Sequence, residues 1–261
     1  MKAVILCGGQ GIRLRDVTEL VPKPMVSIGS HPILWHIMKI YSYYGVNEFI
    51  LCLGYKGWHI KEYFLNYKTI NNDFTVCLGE HNSVEFHNGT DEANWKVTLA
   101  ETGEESMTGA RLWKVRKYLE GDDHFCVTYG DGLADVNIGK LVDQHIQSGK
   151  AGTLTGVRPK SRFGEITIDN NDVTLFEEKP NVSSGWAHGG FMVFDGKKAW
   201  DFFWPDEGLI LEKDPLPAMA RDGQLGIYRH NGFWLGMDTM REYLYLNELW
   251  RSGEAPWKIW N

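Results

Sequence analysis

The chain has 261 residues, 43% hydrophobic and 13% aromatic, with 27 Lys and Arg against 34 Asp and Glu and a formal net charge of −7. That is enough material for one large domain with a full core, and an acidic chain without a basic run excludes nucleic acid or an anionic membrane as its main partner. No apolar stretch is long enough to span a bilayer, and the N-terminal run stops at Gly8, too short for a signal peptide, so a cytoplasmic location is expected.

Ala3-Val4-Ile5-Leu6-Cys7 reads as a strand buried on both faces of a parallel sheet. It runs into Gly8-Gly9-Gln10-Gly11-Ile12-Arg13-Leu14, with Pro22-Lys23-Pro24 beyond. Glycines let backbone N–H groups approach an anion, and Arg13 and Lys23 add two positive charges, so this loop suits a polyphosphate. It is not a P-loop, because Gly-Lys-Ser/Thr is absent, nor the dinucleotide fingerprint, because Leu14 stands where a third glycine is needed.

Helical spacing follows His31-Pro32 and stops at Gly45. A second buried strand covers Phe49 to Leu53, and a helix Trp58 to Tyr67. This alternation predicts an α/β fold, doubly wound and Rossmann-like, with a mostly parallel sheet. Thr69 to Thr102 reads as an insertion of short strands at the sheet edge, Phe74 to Leu78 and Val97 to Leu99 among them. A helix Arg111 to Leu119, a strand Phe125 to Tyr129, a helix Ile138 to Ile146 and a strand Gly152 to Val157 follow. Later come a hairpin of Glu165 to Ile168 with Val173 to Glu178, a strand Gly189 to Phe194 and a helix Lys197 to Trp204. Short elements Pro215 to Arg221, Leu225 to Tyr228 and Phe233 to Met237 precede a last helix, Arg241 to Trp250. One domain is expected, in two halves, 1–157 and 158–261, the second carrying the last helix. The four cysteines, Cys7, Cys52, Cys77 and Cys126, form no Cys-x-x-Cys, and three lie in apolar runs as small hydrophobes.

Gly130-Asp131-Gly132 follows a buried strand directly, which places Asp131 where ligands bind in open α/β sheets. Asp238 precedes Thr239 and Glu242, which fit a capping box, and is left one residue outside the helix. Two carboxylates from separate strand ends suit Mg²⁺, which takes one or two protein oxygens plus substrate phosphates. Glu178-Lys179-Pro180 ends a hairpin strand, with Gly164 upstream and His188-Gly189 downstream.

Gly8-Gly9-x-Gly11-x-Arg13-Leu14 followed by Pro22-Lys23-Pro24 resembles the opening of the sugar-1-phosphate nucleotidyltransferases, with Ile12 where that family has threonine. Thr102-Gly103-Glu104-Glu105-Ser106-Met107-Thr108-Gly109-Ala110-Arg111-Leu112 is similar to the corresponding stretch of the glucose-1-phosphate cytidylyltransferase branch. The resemblance spans essentially the whole chain. It implies transfer of a cytidylyl group from CTP to glucose 1-phosphate, giving CDP-glucose for deoxysugar pathways, in a homo-oligomeric enzyme. It assigns Leu6, Gly8, Gly9, Gly11, Ile12, Ser106, Arg111 and Gly130 to the nucleotide, and Gly164, Glu178, Lys179, His188 and Gly189 to the sugar phosphate. Arg13, Lys23 and Lys179 become the catalytic cations, and Asp131 and Asp238 the Mg²⁺ ligands. His188 stands where related sequences carry asparagine. Ser106 and Arg111 are expected to donate to the acceptor side of cytosine. The same chemistry with UTP or dTTP, or with another hexose 1-phosphate, is the alternative, and a non-catalytic nucleotide-sugar sensor is the alternative class.

Overall fold

The computed structural model describes residues 1–9, 20–79, 83–89, 91–159 and 185–260 in full, and the backbone of 165–169 and 172–177. In chain order the main elements begin with β1 (Lys2–Leu6), α1 (Ile33–Tyr43), β2 (Glu48–Leu53) and α2 (Gly57–Leu65). The hairpin β3 (Phe74–Cys77) and β4 (Ser83–Phe86) precedes β5 (Lys96–Glu101) and α3 (Thr108–Val115). Then come β6 (His124–Tyr129), β7 (Gly132–Ala134), α4 (Ile138–Ser148) and β8 (Gly152–Val157). The hairpin β9 (Glu165–Asp169) and β10 (Asp172–Glu177) leads to β11 (Ala187–Asp195) and α5 (Pro215–Arg221). β12 (Leu225–Arg229), β13 (Trp234–Gly236) and α6 (Met240–Ser252) complete the chain.

Seven strands form the central sheet in the order β12-β8-β11-β6-β1-β2-β5. β1 is an interior strand of it, parallel to both β2 and β6. Only β11 runs against the others, between β8 and β6. Alternation along β1 feeds two cores: Ala3, Ile5 and Cys7 pack with α1 and Trp257, while Val4 and Leu6 pack with Ala110, Leu112 and Val115 of α3. That two-sided burial is why the strand is an unbroken apolar run.

Two expectations change. Val97 to Leu99 is not part of the insertion; β5 pairs in parallel with β2 and forms the sheet edge. Among the described residues of that region, the exposed β3–β4 hairpin forms a separate two-stranded sheet. Lys197 to Trp204 forms a short 3-10 turn, Lys198–Phe202, in place of a longer helix. Among the described residues no helix is long and apolar enough to cross a membrane.

Candidate active site

A cavity of about 480 Å³ opens at the carboxyl ends of β1 and β6, walled by Leu6, Gly8, Lys23, Ser106, Arg111 and Asp131 among others. This is where an open α/β sheet leaves its crevice. Of the expected site residues, it also takes in Gly9, Gly130 and Asp238. Gly11, Ile12, Arg13, Gly164, Glu178 and Lys179 lie outside the described residues.

Asp131 and Asp238 are distant in sequence and are brought together by a two-stranded sheet. β7 pairs antiparallel with β13, Gly132 facing Gly236, and the Met237 N–H donates to Asp131 O at 2.9 Å. α6 then starts with a complete capping box between Thr239 and Glu242. Glu242 Oε2 accepts from the N–H of Thr239 and of Asp238, both at 2.8 Å, so the box also fixes the backbone of Asp238.

Lys23 joins the two carboxylates. Its ammonium lies 2.7 Å from Asp131 Oδ2 and 2.8 Å from Asp238 Oδ1. The lysine sits in a 3-10 turn whose neighbours Pro22 and Pro24 restrict φ, and its side chain is only 11% exposed. Burial by itself pulls the Lys23 pKa down; the two carboxylates outweigh it and hold the pKa above the ordinary lysine value. Gly130 allows this approach, because a Cβ there would come within 2.9 Å of Pro24 and 3.2 Å of Leu6 O.

Arg111 is a clamp as well as a wall residue. Its Nη1 donates to Leu53 O, Thr102 Oγ1 and Gly103 O at 2.8–2.9 Å, and its Nη2 to Gly8 O at 3.2 Å and Glu104 O at 3.3 Å. Gly8 and Gly54 pack against the guanidinium, and an added Cβ would lie 2.2 Å and 2.6 Å from it. Gly8 is therefore required first for contact with Arg111, an interaction that no local motif announces.

The segment after β11 braces the wall at Ser106. Glu207 O accepts from Met107 N–H, and Leu209 O accepts from the N–H groups of Gly109 and Ala110. The Glu207 carboxylate meets Ser106 Oγ at 2.5 Å and Lys114 Nζ at 2.6 Å. Hydrogen bonds from Lys114 and Ser106 hold the Glu207 carboxyl below its ordinary range. Glu212 accepts from Thr108 Oγ1 at 2.7 Å and from the Tyr129 hydroxyl, whose pKa is raised by burial and by that carboxylate.

His188 and Gly189 begin β11 and are not in the cavity wall. The His188 ring meets Tyr129 edge-on at 5.8 Å, and its enclosed Nε2 has no hydrogen-bond partner among the described residues. Burial keeps this imidazole towards its neutral form. Trp234 Nε1 donates to Gly189 O at 2.7 Å, which fixes the strand start beside β13. Cys7 lines the cavity, and burial pushes its thiol well up, so no thiolate nucleophile is offered. Cys7, Cys52 and Cys126 are buried, as expected of small hydrophobes, whereas Cys77 is exposed.

The match to known proteins agrees with this arrangement. Residues 2–248 match the nucleotidyl transferase family. This chain belongs to that family. It is 46% identical over 260 residues, the full length of both chains, to the glucose-1-phosphate cytidylyltransferase of Salmonella typhimurium. The same identity and full coverage hold for the glucose-1-phosphate cytidylyltransferase of Salmonella typhi. The solved structure of HddC from Yersinia pseudotuberculosis is similar in fold, with a TM-score of 0.70 and 24% identity over 95% of this chain and 99% of that one.

Several wall and support residues of this nucleotidyl transferase were not visible in its sequence as site residues. Lys114, Glu207, Glu212 and Tyr129 enter through contacts between distant segments. The only local sign was Tyr129 at the end of a buried strand.

Proposed function

We propose that the protein transfers a cytidylyl group from CTP to α-D-glucose 1-phosphate, releasing pyrophosphate and giving CDP-glucose. Two kinds of support meet here: full-length identity of 46% to glucose-1-phosphate cytidylyltransferases, and a cavity that joins the Ser106–Arg111 wall to the Lys23, Asp131 and Asp238 cluster. The observation that carries the chemistry is the convergence of two carboxylates on one ammonium, at 2.7 and 2.8 Å.

The sugar phosphate is already anionic at neutral pH, so attack needs no general base. One of its oxygens forms a bond to the α-phosphorus as the bond to pyrophosphate breaks. The barrier is charge crowding between two polyanions, and the task of the protein is positioning and neutralisation. Lys23 and Arg13 serve the triphosphate and the departing pyrophosphate, and Lys179 with Glu178 and Gly164 serves the sugar phosphate. Leu6, Gly8, Gly9 and Gly130 line the cavity for the nucleotide, and Gly11 and Ile12 are assigned to the same substrate. His188 and Gly189 close the sugar side beyond Tyr129.

Asp131 and Asp238 fit Mg²⁺. They are hard oxygen donors already gathered around a cation, and no group of three or more His, Cys, Asp or Glu stands among the described residues to favour a softer ion. When bound, Mg²⁺ supplies charge neutralisation at the phosphates. With the carboxylates holding the ion, Lys23 would serve the phosphates.

Pyrophosphate release measured over a matrix of CTP, UTP, dTTP and GTP against glucose, mannose and galactose 1-phosphates tests the reading. The expected maximum is CTP with glucose 1-phosphate and Mg²⁺. A maximum at dTTP or UTP overturns the base assignment, and no release with any pair overturns the enzyme.

A further inference from the structure

Asp131 and Asp238 stand at one end of a ribbon that is separate from the seven-stranded sheet. β7 and β13 pair only from Ala134–Trp234 to Gly132–Gly236. A two-stranded ribbon is marginal by itself. Packing of Leu133 and Met237 in the core holds it down, but apolar contact is non-directional and does not fix one strand against the other. The end away from the carboxylates is tied by His230. The His230 N–H donates to Gly156 O at 2.9 Å, so its backbone extends the pairing of β12 with β8 in the main sheet. Its side chain, only 8% exposed, reaches the ribbon instead. Nε2 lies 3.0 Å from Phe233 O and 2.9 Å from Asp135 Oδ1. Both neighbours are acceptors, so Nε2 carries a hydrogen, which it donates to Phe233 O with the Asp135 carboxylate alongside. Phe233 O also accepts the Asp135 N–H at 3.2 Å. Gly232 leaves room for this contact, because a Cβ there would lie 2.4 Å from Asp135 Oδ1 and 2.7 Å from His230 Cε1.

We infer that His230, with Asp135 and Gly232, is the joint that fixes the β7–β13 ribbon to the main sheet and so sets the spacing of the Asp131 and Asp238 carboxylates. Asp131 directly precedes β7 and Asp135 directly follows it; Phe233 directly precedes β13, and Asp238 lies just beyond its end. A slip of one strand past the other at the His230 end is therefore carried along short extended backbone to the carboxylates. Mg²⁺ demands near-ideal octahedral geometry, so a small change in carboxylate spacing weakens the ion's hold. His230 is a positioning residue: it belongs to neither the cavity wall nor the Lys23 cluster. The inference rests on the proposed metal role of Asp131 and Asp238, and extends it to residues at the opposite end of the ribbon.

The test is Mn²⁺ binding to the nucleotide-free protein, with free Mn²⁺ read by EPR, beside thermal denaturation and the KM for glucose 1-phosphate. His230→Leu is expected to bind Mn²⁺ about tenfold more weakly, the scale of losing a group that orients metal ligands, with the KM for glucose 1-phosphate unchanged. His230→Gln places an amide N–H near the former Nε2 and is expected to recover most of the affinity. Gly232→Ala keeps both polar groups but wedges them apart; it is expected to weaken Mn²⁺ binding severalfold, and it gives the same reading where His230→Leu fails to fold. A folded His230→Leu or Gly232→Ala with wild-type Mn²⁺ affinity overturns the inference, even if its melting temperature is lower, because the joint is then structural only. So does His230→Gln binding Mn²⁺ as weakly as His230→Leu. Asp131→Asn serves as the control: Mn²⁺ binding untouched by that change overturns the proposed metal role itself, whatever the His230 variants do.

Discussion

Lys23 occupies the position on which the two acidic side chains converge, so its removal separates two roles. Lys23→Met takes away the cation proposed to neutralise the incoming phosphates, and turnover is expected to fall by about two to three powers of ten, the scale of losing one preorganised electrostatic contact. It also leaves Asp131 and Asp238 without the ammonium 2.7 and 2.8 Å away, so the nucleotide-free variant is expected to bind Mn²⁺ more tightly than wild type. Free Mn²⁺ followed by its EPR signal during titration measures this directly. Weaker Mn²⁺ binding in the variant means that Lys23 does not compete for the carboxylates. Gly8 makes a second prediction about single residues. An alanine there places its Cβ 2.2 Å from an Arg111 guanidinium held by several acceptors, so the guanidinium cannot swing aside. Gly8→Ala is expected to cost about 1–3 kcal/mol, the usual size of overpacking. A urea midpoint equal to that of wild type contradicts the clamp.

Secondary-structure elements do their work here through their ends. α6 has an ordinary role in packing, with Leu246 fully buried, and a second role through its first turn. Glu242 reaches back to the N–H groups of both Thr239 and Asp238, so the helix cap and the backbone of Asp238, the proposed metal ligand, share a single carboxylate. Glu242→Ala is expected to lower stability by about 1 kcal/mol, as for other lost caps, and to raise the Mg²⁺ concentration needed for half-maximal pyrophosphate release. Glu242→Gln keeps the capping-box geometry and is expected to retain most of both. Thermal denaturation together with a Mg²⁺ titration tests the pair; a lost cap with an unaltered Mg²⁺ requirement uncouples the two roles. α3 is the contrasting case. Its first N–H groups are satisfied by Leu209 O, so its N-terminus serves the brace and is not open to an anion.

Across the whole molecule, the two cores contain histidines that burial keeps neutral. His36 packs between Trp250 and Trp257, and His145 beneath β8; burial is the main cause that lowers each pKa from 6.5 to about 4. The unfolded chain takes up protons on these rings below about pH 6.5, while the folded chain resists until about pH 4. The unfolded state therefore binds more protons in that window, and stability falls as pH is lowered through it. Urea midpoints are expected to be level from pH 7 to 8, to begin falling near pH 6.5, and to have lost this contribution by about pH 4. The onset lies above the range where carboxylates titrate, which separates the two causes. A midpoint unchanged down to pH 5 contradicts buried neutral histidines.

Features set by short-range chemistry could be read along the chain. The apolar run Ala3–Cys7 must be buried on both sides, and it forms an interior strand of the sheet. Thr239 and Glu242 stand at capping-box spacing, and they cap α6. The strand into Gly8 and the strand into Asp131 are parallel neighbours, so their common crevice followed from strand order, whereas Asp238 is brought there by the antiparallel β7–β13 pair. The folded structure alone decided which groups are already satisfied. Arg111 spends its terminal nitrogens on carbonyls from three segments and on Thr102, and Ser106 gives its proton to Thr102 or Glu207. Strand β5 joined the main sheet and not the insertion, because its partner β2 lies far earlier in the chain. The division has one physical origin. Helix, strand and cap preferences act over a few residues and leave a period or a spacing in the sequence, whereas a hydrogen bond between Ser106 and Glu207 leaves no local trace. Whether a hydroxyl can donate depends on neighbours that only folding supplies.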